Sequence, residues 1–373
     1  MKKSVWSGFQ HGIGIGGWLT NYKRFHVLPE QWKMPLTIGD YEHFENYIRE
    51  KDVRYIASLG ADHIRVCFDH VVLEESPYVY RERTFKLLDN FIGWCGKYKL
   101  GVVLNMHKTF GNYCDVASPV NLLDDDELKN RFVAFWCEAE RRWHDQPDVV
   151  FELLNEVLGG KEAAEKWNDL AARTIAEIRR SNPARRIVIG SACWNSPDFL
   201  KDLRVFDDEN VIYTYHFYFP FSFTHQRGVL QAGPLYYNRE MPYPGDIERY
   251  RDYEKVVCGN SNAFPNAEKM DIKLLSEQMQ GAFDFRKAHP DKVLWLGEFG
   301  TIRHAPQESR ENWMHDVICL ARSHGIPYCA WNYLSTPNDG NRFSLVDDYK
   351  RRIVSGRMAK IIAGKVRGSR KEK

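Results

Sequence analysis

The sequence predicts an α/β fold, a single-domain (β/α)8 TIM barrel. Three observations carry that prediction. Short apolar runs recur eight times along the chain. Stretches with helical apolar periodicity lie between them, as parallel strands joined by crossover helices require. Polar side chains gather where the runs end, the face on which such barrels place their chemistry. A length of 373 residues exceeds that of an ordinary domain but fits one barrel with insertions.

The first run is residues 12–18 (GIGIGGW), the second 63–68 (HIRVCF) and the third 101–107 (GVVLNMH). Residues 149–156 (VVFELLNE) form the fourth, 187–192 (IVIGSA) the fifth and 210–218 (NVIYTYHFY) the sixth. The seventh is 293–300 (VLWLGEFG) and the eighth 327–333 (PYCAWNY). Near-continuous apolarity suits strands buried on both faces. A helix is expected over 40–59, where Asp40 can cap the start and Gly60 the end. Others are expected over 81–99, 124–144, 161–181, 271–288, 309–324 and 347–362. A short helix or turn near 197–203 serves as the fifth crossover. Residues 224–267, rich in Tyr, Pro, Asn and Gly, read as an extended loop on the face after strand six, and loops of such length are usually functional.

Hydrophobic residues at 43% suffice for a sizeable core, and a net charge of +2 argues neither for nor against a polyanionic partner. Only the tail at about 365–373 (KVRGSRKEK) is clearly basic; it reads as a solvated end, so no nucleic-acid role is expected. No apolar run is long enough to span a membrane, so no membrane role is expected either. None of the eight cysteines forms a CxxC pair, which argues against a zinc ribbon or a redox motif and fits free thiols. No signal-peptide-length apolar run follows the charged start. The expectation is a cytoplasmic protein if Met1 is the native start, and a secreted one if the chain has been trimmed. With neither HxH nor HExxH spacing, no metal or other cofactor is expected. The chain is expected to be a monomer or a weak homo-oligomer.

Polar groups fall at the run ends with regularity: Arg65 on the second, His107 on the third, Asn155 and Glu156 on the fourth. His216 and Tyr218 follow on the sixth, Glu298 on the seventh and Trp331 on the eighth. A buried barrel strand has no packing reason to carry an acid, so each acid needs a partner or a task. Taken singly, each residue has a plain alternative. Arg65 can neutralise Asp62 or Asp69, the histidines can be hydrogen-bonded core groups, Trp331 can fill the barrel mouth, and either Glu can be a structural ion-pair partner.

Taken together, GIGIGGWL, IRVCF, LNMH, LLNE, YTYHFY, LGEFG and AWNY resemble glycoside hydrolase family 5, the cellulase family A barrels, over roughly residues 9–355. One departure is that Val-Cys-Phe follows Arg65, where a small residue and Pro are common in the family. The resemblance implies a retaining β-glycosidase with Glu156 as acid/base and Glu298 as nucleophile. It implies that Arg65 and Tyr218 hold Glu298, that Asn155 meets the sugar 2-hydroxyl, and that His107 and His216 bind hydroxyls or steer the acids. Trp331 would floor the cleavage subsite, and Trp18 and Trp194 would extend that platform. The substrate it implies is a β-linked glucan or oligosaccharide, cut in endo-β-1,4-glucanase fashion. Exo action as a β-glucosidase or β-mannosidase, transglycosylation, a non-catalytic carbohydrate-binding barrel and a metal-dependent barrel hydrolase remain alternatives.

Overall fold

All eight runs form strands, each hydrogen-bonded in parallel to its neighbours in sequence, and the last closes on the first. They are β1 (His11–Leu19), β2 (His63–Asp69), β3 (Gly101–Lys108) and β4 (Val149–Glu152). The others are β5 (Ile187–Gly190), β6 (Val211–Phe217), β7 (Val293–Phe299) and β8 (Tyr328–Ala330). The computed structural model describes residues 4–22, 35–114, 120–336, 339–347, 350–353 and 355–365. The basic tail beyond Lys365 lies outside these residues.

One end of the barrel is sealed. Val103, Val150, Val188, Ile212, Trp295 and Cys329, one from each of six strands, pack with Trp6 and Phe9 of the N-terminal segment. Trp6 and Trp295 meet edge to face at 5.6 Å. This apolar plug fills the barrel near the start of the strands and leaves the opposite mouth to polar side chains. Strand β4 is shorter than expected, but its backbone stays extended: Leu153 N–H donates to the Val188 carbonyl and Asn155 N–H to the Met106 carbonyl. Residues 153–155 thus continue the strand to the mouth.

Several crossovers match the expected spans closely: Glu82–Lys97, Asp126–Trp143, Lys161–Ser181 and Gln307–Ser323. The expected helix over 40–59 is two helices, Ile38–Tyr47 and Glu50–Ser58, separated by an extended Ile48. Thr37, not Asp40, is the N-cap; Asp40 closes a capping box with it. The span 271–288 likewise divides into Ile272–Gln278 and Gln280–Ala288. Of 347–362, only Gly356–Ile362 is helical among the described residues. The fifth crossover carries a 3-10 helix, Pro197–Asp202.

The reading of 224–267 as an extended loop is corrected. It contains the helices Ala232–Tyr237 and Ile247–Cys258, and Gly245–Asp246 pairs antiparallel with Lys269–Met270. Four of its five tyrosines, all but the exposed Tyr236, are core residues. Tyr243 and Tyr250 are buried, with hydroxyls donating to Asp316 and to the Pro242 carbonyl. A phenol can bury its ring and still satisfy its polar end, so a Tyr-rich stretch need not be a loop. No helix among the described residues is long and apolar enough to cross a membrane. All eight cysteines are free.

Candidate active site

The polar mouth is a cleft of about 690 Å³. Glu298, the penultimate residue of β7, reaches it from a strand buried from Leu294 onward. Its two oxygens have different partners. Arg65 Nη1 donates to Oε1, and the Tyr218 hydroxyl donates to Oε2 at 2.9 Å. Burial alone would raise this carboxyl; the positive character of His216, Arg65 and His107 and the Tyr218 hydrogen bond outweigh it and hold Glu298 below the usual carboxylate range.

Arg65 is fully buried in mid β2 and bridges two carboxylates. Its Nε donates to Glu152 Oε2 at 2.6 Å and its Nη2 to Glu152 Oε1 at 2.8 Å, a bidentate pair. Nη2 also donates to Asn155 Oδ1 at 2.8 Å. The alternative in which Arg65 neutralises Asp62 or Asp69 fails. Asp62 pairs with His63, and Asp69 accepts from Thr20. Burial opposes the charge on Arg65, but Glu152, Cys67 and Glu298 push its pKa well up, so it stays a cation.

Glu156 stands where the extension of β4 turns away, with φ at 37°. One of its oxygens lies 2.8 Å from His216 Nδ1, whose other ring nitrogen contacts Asn195 Nδ2 at 3.2 Å. His216 Nδ1 also lies 3.8 Å from Glu298 Oε2 and so sits between the two acids. One carboxyl oxygen of Glu156 and one of Glu298 lie within 4.8 Å of each other. Among the described residues, the donor sets Glu156–His216–Glu298 and Cys67–His107–Glu298 are close enough to hold a metal ion; both fall inside this cluster, where Glu156 already pairs with His216 and Cys67 accepts from Arg65.

His107 and Trp331 line the cleft with parallel rings, 5.7 Å between centroids and 3° between planes. Trp194, half exposed, lines it from beyond β5. Trp18 does not; it is buried against Phe91, with its Nε1 donating to the Phe44 carbonyl. Its place in the platform is corrected, and the cause is local. Gly14 and Gly16 both face Trp331, so Trp18 would follow on the same side by alternation. Gly17, at φ 73°, breaks the period where the register with β2 shifts, and the next side chain turns outward.

Nine of the ten residues singled out in the sequence thus come together at one mouth, two of them, Arg65 and Asn155, in the layer behind the cleft surface. The sequence reading missed that layer's other members: Glu152, Asn105 beside His107, and Asn195 behind His216. Glu152 had a signal, an acid within an otherwise apolar strand (VVFE).

A closed parallel barrel with two adjacent carboxyls at the ends of its fourth and seventh strands, one of them held ionised by arginine, has the site of a barrel glycosidase. Comparison with known proteins agrees. The family model for Cellulase (glycosyl hydrolase family 5) matches residues 30–336. Endoglucanase C of Acetivibrio thermocellus is 35% identical over 329 residues, covering 87% of this chain and 91% of that protein. Cellodextrinase A of Ruminococcus flavefaciens is 28% identical over 323 residues, covering 86% and 84%. Endoglucanase Cel5A from the hyperthermophilic Thermotoga maritima superimposes with a TM-score of 0.73 at 25% identity, over 96% of this chain and 100% of that one. The chain belongs to glycosyl hydrolase family 5 and is a glycoside hydrolase acting on O-glycosyl bonds.

Proposed function

We propose that the protein is an endo-acting β-1,4-glucanase working with retention of anomeric configuration. The observation that carries retention is the separation of the acids. One carboxyl oxygen of each acid lies within 4.8 Å of the other, which favours the about 5–5.5 Å spacing of retaining enzymes over the about 6.5–9.5 Å that inverting enzymes keep open for a water. Glu298, ionised and oriented by Arg65 and Tyr218, attacks the anomeric carbon as Glu156 protonates the leaving oxygen. The glycosyl ester removes the negative charge of Glu298. Glu156 then ionises more readily and takes a proton from the incoming water.

The remaining roles follow from position. Arg65 occupies the Asn155 carbonyl oxygen and one amide N–H donates to Cys114 Sγ at 3.4 Å, so the second amide N–H is the one left to meet the sugar 2-hydroxyl. His216 holds Glu156 in place, and Trp331, braced by the parallel ring of His107, offers an apolar floor to the sugar being cleaved. Trp194 extends that floor. Endo action is favoured because only the first part of the 224–267 segment, through Gln231, lines the cleft; its two helices do not. Endoglucanases among the relatives support the glucan substrate.

The test is hydrolysis of soluble β-1,4-glucan and β-mannan and of aryl β-glucoside, β-cellobioside and β-mannoside, with Glu298→Gln as the blank. Proton NMR follows the first anomer released. The expected result is a rapid fall in glucan viscosity with the β-anomer appearing first. Early α-anomer would overturn retention. Release of monosaccharide at unchanged viscosity would overturn endo action.

A further inference from the structure

Arg65 is shared. It presents one positive charge to two buried carboxylates, and its more extensive bond is with Glu152, away from the reacting atoms. Glu152 is fully buried at the end of β4, four residues before Glu156, and both of its oxygens are taken by this guanidinium. Packing alone does not explain an acid there, since an apolar residue of similar volume fills such a position without desolvating a charge. We propose that Glu152 is a positioning residue that sets how much of the Arg65 charge reaches the nucleophile, Glu298.

The physical case is a balance. A nucleophile must be ionised at working pH, yet each increment of stabilisation makes it a poorer attacking group. An unshared arginine against a buried carboxylate would overstabilise it. With Glu152 on the far side of the guanidinium, the buried triad carries a net negative charge, which opposes ionisation of Glu298 and leaves it reactive. Glu152 also fixes the plane of the guanidinium, so that Nη1 aims at Glu298 while Nη2 holds Asn155. Other groups face Glu298 as well: Cys67 from β2, His107 from β3, Glu156 from beyond β4, and His216 and Tyr218 from β6 and the residue after it. Glu152 reaches it only through Arg65, so its influence is separable from theirs.

This inference rests on Glu298 being the nucleophile, and the experiment tests that separately. The probe is 2,4-dinitrophenyl 2-deoxy-2-fluoro-β-cellobioside, which arrests a retaining enzyme as its glycosyl ester. In the wild type, mass spectrometry of a digest is expected to find the label on Glu298; a label elsewhere, or none, overturns the proposed mechanism itself. The inactivation rate is then followed against pH. Glu152→Gln removes a negative charge and leaves Arg65 to Glu298 alone. The acid limb should move down by about one pH unit and the rate at neutral pH should fall about tenfold. Glu152→Asp keeps the charge on a shorter stem that draws the guanidinium away from Glu298, so the limb should move up. Opposite displacements are what a merely structural acid would not give. A wild-type limb in either variant, or a shift of both in one direction, overturns the proposal; should the Gln variant not fold, the upward shift in Glu152→Asp decides alone.

Discussion

Tyr218 and Arg65 divide the Glu298 carboxylate between them, one oxygen each, and their removal has different consequences. Tyr218→Phe deletes one hydrogen bond and keeps the ring against His225 and Phe343. The lost bond had favoured the ionised form, so the pKa of Glu298 rises and the acid limb of kcat/KM should move to higher pH, with a loss of about tenfold at neutral pH. A limb that stays in place in the pH–rate profile would remove Tyr218 from the charge balance. Glu156→Ala should behave as the loss of an acid rather than of a nucleophile. Turnover of substrates with poor leaving groups should fall about 10²–10⁴-fold, while an activated aryl glycoside loses much less in its first step. Azide should then yield a product of retained configuration; a fall independent of the leaving group would contradict the assignment. These two acids were legible because each ends an apolar run, where a charge has no packing reason to be. Glu152 was not read, although its signal was of the same kind, because it lies inside the run and pairs with an arginine 87 residues away. Trp18 misled because a single glycine with positive φ reversed the alternation that would have pointed it into the cleft.

At the scale of elements, what positions the fourth strand matters most, since it delivers Asn155 and Glu156. Its start is tied down by Arg185, a buried residue just before β5. Arg185 donates to the Val149 carbonyl at 2.6 Å, to the Gln146 carbonyl at 2.7 Å and to the Trp143 carbonyl at 2.6 Å, the last at the end of helix Asp126–Trp143. Its Nε pairs with the buried Glu140 at 2.6 Å. Arg185→Met should cost about 3–5 kcal/mol, because Glu140 and four carbonyls, that of His144 included, lose a charged donor. Urea titration measures this, and Glu140→Leu in the same chain should restore part of the loss. A destabilisation under about 1 kcal/mol would mean water replaces the guanidinium. None of this network was visible in the sequence, where Arg185 and Arg186 look like one more solvated pair. The strands themselves were legible, because burial on both faces forces continuous apolarity. The break at Ile48–Arg49 was not: neither Gly nor Pro marks it, and it is held by Asp52 accepting the Arg49 N–H. Residues 224–267 were misread because tyrosines that pack while hydrogen-bonding look, in composition, like a polar loop.

For the molecule as a whole, the barrel's stability should depend on pH through histidines it buries uncharged. His225 is stacked on Phe221 at 4.0 Å, and burial pushes its pKa down to about 3 from an ordinary 6.5. His70 lies between Phe110 and Phe135, and burial, with Arg131 nearby, lowers it likewise to about 3. Its Nε2 is 3.4 Å from Glu74, but Arg131 already holds that carboxylate. In the unfolded chain both would take up a proton as pH falls through about 6.5, whereas in the fold they do not until about 3. The unfolded state therefore binds more protons across this window, and stability declines on acidification by up to about 1.4 kcal/mol per pH unit for each histidine. Glu298 adds to the decline at the lower end, since its depressed pKa contributes stability above the ordinary carboxylate range that is lost as pH falls through the folded value. Urea midpoints measured between pH 7 and pH 4.5 should thus fall steadily. In His70→Gln, which keeps a polar contact to Thr109 but cannot take up a proton, the slope should be shallower by one histidine's share. An unchanged slope would mean that His70 gains its proton in the folded barrel as readily as in the unfolded chain, and that the acid sensitivity comes from His225 and the carboxylates.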